Sequence, residues 1–243
     1  MNRAQTGEKL IVVTGGSKGI GRAVVSRFLQ TGYSVVTCAR SAADLATLTT
    51  KMAADVPGAV LHTLPADLSQ QADCARFAAF VLALGVPVEV LVNNAGAFVP
   101  GRIQDEPADG SQLRQMLAVN LLSAYDVTLP LLPGLIAQGT GHIFNICSTA
   151  SITAYPNGGS YGIAKHALLG FTKNLREELK ASGVRVTAVL PGPTLTASWA
   201  GVELPKERFV QADDVAEAVF SAYQLSPHAV VEELLIRPQL GDL

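Results

Sequence analysis

The chain has 243 residues, 49% of them hydrophobic and 16% charged. At about 150 residues per domain this reads as one large domain, too apolar to stay disordered. Lys and Arg number 18 against 20 Asp and Glu, a net charge of −2, so no global field draws the chain to nucleic acid or an anionic membrane.

Short β-branched runs alternate with longer helical stretches. Lys9 to Thr14 (KLIVVT) predicts a buried strand and Ile20 to Thr31 a helix, with Gly32 as its stop. Ser34 to Ala39 is a second strand, Ala42 to Ala53 a second helix, Ala59 to Pro65 a third strand and Gln70 to Leu84 a third helix. Val88 to Asn93 is a fourth strand. Gln112 to Leu132 is a long helix, interrupted near its end by Pro130 and Pro133. Then follow a strand at His142 to Cys147, a long helix at Ser160 to Ala181, a strand at Val184 to Leu190, a helix at Asp213 to Gln224 and a last strand at Glu233 to Arg237. Near-continuous apolar strands separated by helices predict an α/β fold. Its core is a doubly wound, Rossmann-type parallel sheet covered on both faces. No linker divides the chain, so residues 1–243 read as a single domain.

Cys38, Cys74 and Cys147 lie far apart with no CxxC, which points to a reduced, cytoplasmic setting. The four histidines show no metal-ligand spacing, so no metal site is expected. The N-terminus has no apolar signal core. The longest apolar run, Phe77 to Val88, has 12 residues, short of the ~20 needed to span a bilayer.

Thr14-Gly15-Gly16-Ser17-Lys18-Gly19-Ile20-Gly21 joins the first strand to the first helix. Gly15 allows a tight turn, Gly19 lets a pyrophosphate approach the backbone, and Gly21 lets the helix pack closely. The helix N-terminus supplies free N–H groups and a positive partial charge. At the end of the second strand an acid would bond the ribose 2′-OH of NAD, whereas a base accommodates the 2′-phosphate of NADP. The chain reads Arg40-Ser41 there, and Lys18 adds a second base. Tyr161 and Lys165 are four residues apart on one helix, hence on one face. A nearby ammonium and the positive ring of oxidised nicotinamide would each stabilise phenolate, so the pair is expected to exchange a proton nearer neutral pH. Ser148 ends a strand, where its hydroxyl can bond a substrate carbonyl oxygen.

This set, with Gly-x3-Gly-x-Gly and Tyr-x3-Lys, resembles the short-chain dehydrogenase/reductase family from about Lys9 to about Leu235. The resemblance implies an NADP(H)-dependent carbonyl reductase, with a small carbonyl or alcohol as substrate. Its catalytic residues would be Asn120, Ser148, Tyr161 and Lys165, with Asn120 expected to hold a water that connects to the lysine. It implies that Asp67-Leu68 binds adenine, and that Asn94, Ala95 and Gly96 of the NNAG motif contact the cofactor. Pro191, Gly192, Thr194 and Thr196 would hold the nicotinamide carboxamide. Asp67 equally suits a helix cap, Asn120 a structural kink, and the two amides of NNAG a tie between strands. A substrate flap is expected over about residues 194–212, with Trp199 as a pocket wall, a flap anchor or a core residue, and its shortness speaks against a deep sterol pocket. The ending Glu232 to Gln239 is similar to that of the subgroup of NADP-dependent 3-hydroxy-acid and broad carbonyl reducers. The family pairs its long helices into dimers or tetramers. Candidate substrates are 3-oxoacyl thioesters, 3-oxo acids, pteridine side-chain ketones and xenobiotic ketones. The alternative is a non-enzymatic NADP-binding sensor or scaffold, which has no need of the acid–base set.

Overall fold

The computed structural model describes residues 9–196 and 204–243. The strands β1 (Leu10–Thr14), β2 (Ser34–Ala39), β3 (Leu61–Pro65), β4 (Val88–Asn93), β5 (His142–Ile146), β6 (Arg185–Pro191) and β7 (Glu233–Ile236) form one sheet in the order β3-β2-β1-β4-β5-β6-β7. Every pairing is parallel. All five residues of β1 are buried, whereas the edge strands β3 and β7 are half-exposed.

The period-2 alternation of a strand divides the core between two faces. Ile11 and Val13 face α1 (Gly19–Gln30), α2 (Ala42–Asp55) and α7 (Ala212–Gln224) through Phe28, Met52 and Val219. Leu10 and Val12 face α3 (Gln71–Ala83), α5 (Ser123–Gln138) and α6 (Gly159–Leu179) through Phe77, Leu131 and Leu175. The order in which the chain adds strands reverses between β1 and β4. There the connections leaving the carboxyl ends of the two strands run to opposite faces and leave a crevice.

The long helix departs from expectation. It is α4 (Ser111–Leu117), one wide π turn over Ala118–Leu122, and α5, which runs on past both prolines to Gln138. Pro130 and Pro133 are exposed, so the carbonyls they leave without a helical donor can be met by water. Val127, Thr128, Leu131 and Leu135, buried on the other side, hold the helix together. The expectation of no long apolar span also needs correcting. Residues 111–138 are together long and apolar enough to cross a membrane, but their inner side is a layer of this core.

Candidate active site

A cleft of about 600 Å³ opens along the carboxyl edge of the sheet over β1 and β4. All of Gly15, Ser17, Lys18, Gly19, Ile20, Arg40, Ser41, Asp67 and Leu68 line it, and so do Asn94, Ala95 and Gly96. Asn120, Ser148, Tyr161, Lys165, Pro191, Gly192, Thr194 and Thr196 complete the wall. Of the residues expected to bind or react, only Gly21 is outside the lining. A Cβ on Gly21 would collide with the Gly15 carbonyl and the Asn94 amide, so this glycine brings α1 against the loop and the end of β4. Gly21→Ala is therefore expected to lower both melting temperature and dinucleotide affinity, read by thermal unfolding and by NADPH fluorescence titration.

At one end, α1 begins at Gly19 with no side-chain cap on its first N–H groups, which leaves them for an anion. Arg40 carries no hydrogen bond or ion pair among the described residues. Lys18 differs from expectation, because its ammonium pairs with Asp44 at 2.7 Å. That bond holds the Asp44 carboxyl below its ordinary value. The two bases thus do not act alike: Lys18 brings its own counter-charge and Arg40 does not. Ser41 caps α2 by accepting from the Asp44 N–H at 3.1 Å. Asp67 does not cap α3, whose cap position is Gln70. Its Oδ1 accepts from the Ser69 N–H and hydroxyl in a tight turn facing the cleft. The uncapped helix, the unpaired Arg40 and the Asp67 carboxylate together fit a nucleotide with a phosphate on its ribose.

Across the middle, the amides of the NNAG motif divide their work. Asn93 donates to Thr128 and Asn145 at 2.9 and 2.8 Å, tying β4 to α5 and β5. Asn94 donates to the Thr14 and Gly15 carbonyls at 2.9 and 3.0 Å. Its amide nitrogen therefore clamps the glycine loop, while the residue itself lines the cleft. Thr14, which the sequence reading missed, accepts from the N–H groups of Asn94 and Ala95, both at 2.9 Å.

At the other end, Tyr161 and Lys165 lie one turn apart on α6 beside Ser148. The Ser148 hydroxyl, beside the Tyr161 phenol, lowers its pKa. Burial outweighs that influence and pushes the phenol up to about 12. The expected help from the lysine is absent here. Lys165 donates to the Ile146 carbonyl at 2.8 Å, and its nitrogen lies 5.9 Å from the Tyr161 ring centroid. Burial brings Lys165 itself down to about 8. In the chain alone, both groups are driven toward their neutral forms.

Asn120 occupies the π turn and is buried. Its Nδ2 donates to the carbonyls of Ala97 and Met116 at 3.0 and 3.1 Å, and its Oδ1 accepts from the Ala97 N–H at 3.2 Å. The amide nitrogen has no proton left for a water, and any water must be held through Oδ1. Thr194 spends its hydroxyl on the Gly192 carbonyl at 2.9 Å, while the chain around it is pinned to Val210. Thr196 lies close against Gly19, where a Cβ would come within 3.1 Å of its methyl carbon. Trp199 and residues 197–203 of the expected flap lie outside the described residues. Phe98, Thr153, Tyr155, Asp242 and Leu243 also line the cleft and have no motif to announce them. Among the described residues no three His, Cys, Asp or Glu side chains are grouped to hold a metal ion.

The family model for short chain dehydrogenase matches residues 9–206. The chain belongs to the short-chain dehydrogenase family. It is thus an oxidoreductase of that family. A sepiapterin reductase of Chlorobaculum tepidum is 30% identical over 242 residues, covering 96% of this chain and 98% of the relative. Among solved structures, a metagenomic short-chain oxidoreductase in complex with NADP is 31% identical with a TM-score of 0.80, covering 95% of this chain and 97% of that one. An alcohol dehydrogenase from the archaeon Thermococcus sibiricus, complexed with 5-hydroxy-NADP, is 28% identical with a TM-score of 0.87. It covers 96% of this chain and 97% of its own.

Proposed function

We propose that this short-chain dehydrogenase uses NADPH to reduce a ketone or aldehyde to an alcohol, with Tyr161 as the proton donor. One observation carries the reading: a single cleft runs from Arg40, fitted to a ribose phosphate, to Ser148 beside Tyr161 with Lys165 one turn away. The solved relatives that hold NADP support the cofactor. NADPH supplies the hydride when bound. Arg40 grips the 2′-phosphate, and the open N–H groups of α1 take the pyrophosphate. Residues 191–196 hold the ring amide. Ser148 orients the substrate oxygen, Tyr161 gives it a proton, and Lys165, with Asn120 Oδ1 holding a water beside it, restores that proton from solvent. A 3-oxo acid or acyl compound, or a broad range of carbonyls, is the substrate. Among the curated relatives are the sepiapterin reductase and a Rhizobium meliloti D-beta-hydroxybutyrate dehydrogenase, 34% identical over 189 residues.

The test is loss of 340 nm absorbance with NADPH and a panel holding a 3-oxo acid, a 3-oxoacyl thioester, a pteridine ketone and an aryl ketone. Turnover of at least one member is expected. NADPH binding with no turnover of any would favour the sensor or scaffold. Arg40→Ala is expected to raise the KM for NADPH by about 10–100-fold and to leave that for NADH nearly unchanged, because a charge-assisted fork to a phosphate contributes about 1.5–3 kcal/mol. Equal losses with both cofactors would take the phosphate away from Arg40.

Leu122, Tyr125 and Leu129 are exposed on the outer side of residues 111–138, and this supports pairing of copies into a dimer or tetramer. All three cysteines are buried and free, in keeping with a cytoplasmic site of action.

A further inference from the structure

The helix that carries Tyr161 lacks a cap of its own. Gly158 precedes α6 and offers no side chain to the first N–H groups. The missing acceptor comes from a residue 54 positions earlier in the chain. Glu106, in the segment between β4 and α4, accepts from the Ser160 N–H through Oε1 at 2.8 Å and from the Ser160 hydroxyl through Oε2 at 2.5 Å. Ser160 is only 2% exposed and directly precedes Tyr161. Both of its donors therefore depend on one carboxylate.

The surrounding backbone is shaped to admit that carboxylate. Gly159 has φ +41, and a Cβ there would lie 2.7 Å from Glu106 Oε1 and 2.5 Å from the Gly101 carbonyl. Two further contacts join the same segments. Gly101 N–H donates to the Asn157 carbonyl at 2.9 Å, and the Phe98 ring meets the Tyr161 ring edge-on with centroids 4.9 Å apart. The segment that forms one wall of the cleft is thus latched to the first turn of the helix that forms the other. Being negative, the latch also suits the positive end of the helix dipole.

We infer that Glu106 is a positioning residue for the reaction: it fixes the first turn of α6 through Ser160 and thereby holds the Tyr161 hydroxyl against Ser148 and the substrate oxygen. The inference rests on the role given above to Tyr161. Without Glu106, a buried hydroxyl and a helix N–H lose their acceptor, and the turn must loosen or hydrate. A displacement of about 1 Å at a reacting group lowers rate by about 100-fold. The NADPH phosphates bind at the far end of the cleft, so cofactor affinity should not share that loss.

The experiment compares the wild type with Glu106→Ala and Glu106→Gln. Glutamine keeps the geometry, because its carbonyl accepts from the Ser160 N–H and its amide donates to the Ser160 hydroxyl oxygen. Glu106→Ala is expected to lower kcat by about 10–100-fold with the NADPH Kd within about twofold, and Glu106→Gln to restore most of kcat. Amide hydrogen exchange across Ser160 and Tyr161 should quicken at least about tenfold in Glu106→Ala and stay at the wild-type rate in Glu106→Gln. The inference is overturned if Glu106→Ala keeps its kcat, if Glu106→Gln is as impaired as Glu106→Ala, or if kcat and NADPH affinity fall together. If the wild type reduces no carbonyl, the reductase reading fails by itself. The exchange comparison then still decides the latch, because unchanged exchange in Glu106→Ala removes it.

Discussion

Tyr161→Phe is expected to lower kcat for carbonyl reduction by about 10³-fold while NADPH affinity changes less than about threefold. In the proposed reaction the phenol is the acid, and the cleft places it beside Ser148. Phenylalanine keeps the ring and its edge-on contact with Phe98, so packing is largely preserved. What disappears is one O–H beside Ser148, and the loss should therefore fall on the chemical step. The pH dependence has a definite sign. Burial raises the phenol to about 12, which keeps it protonated at neutral pH and ready to donate. A positive nicotinamide ring and a charged Lys165 would draw that value down during turnover. Reduction should accordingly be fastest on the acid side of the apparent pKa and alcohol oxidation on the basic side, with both limbs missing in Tyr161→Phe. Near-native turnover in that variant would remove Tyr161 from the reaction.

How far the site could be read from the chain depended on whether a signal was local. The spacing of Tyr161 and Lys165 is a property of one helix, and the glycine loop of one turn; both were legible. The strands stood out because sheet burial on two faces leaves almost no polar residue in β1. The run of α5 through Pro130 and Pro133 was hidden, because the deciding fact is which side of the helix faces water. Lys18 and Arg40 look equivalent as letters, and only the placement of Asp44, on the following helix, separates them. Asn94 was legible as a polar strand end, but its clamp on Thr14 and Gly15 joins residues about 80 apart. Glu106 was missed for the same reason. A carboxylate in a charged loop carries no local mark of the helix it caps, and the one hint was a glycine pair, Gly158-Gly159, where a helix would ordinarily begin with a capping side chain.

Lys165→Met is expected to do two opposite things: abolish reduction and stabilise the cofactor-free fold. The lysine is 5% exposed and donates a single bond, to Ile146. Burial lowers it from 10.5 to about 8, a shift worth about 3 kcal/mol against the charged form. Below pH 8 the lysine is protonated whether folded or unfolded, and the folded state bears this whole cost. Between about 8 and 10.5 the unfolded chain binds more proton than the folded one, so wild-type stability rises with pH relative to the variant. Above 10.5 neither state is charged at this position and the difference closes. Methionine fills much of the same volume without a charge, and the Ile146 carbonyl, whose residue lines the cleft, can turn to water. Lys165→Met should then melt about 6–12 °C above the wild type at pH 7, and the gap should narrow as pH approaches 10.5. An equal or lower melting temperature at pH 7 would mean that Lys165 is not strained by its burial. The cost is tolerable only if the ammonium is needed, beside the bound cofactor and the phenol, and a family enzyme has that need where a passive nucleotide binder does not.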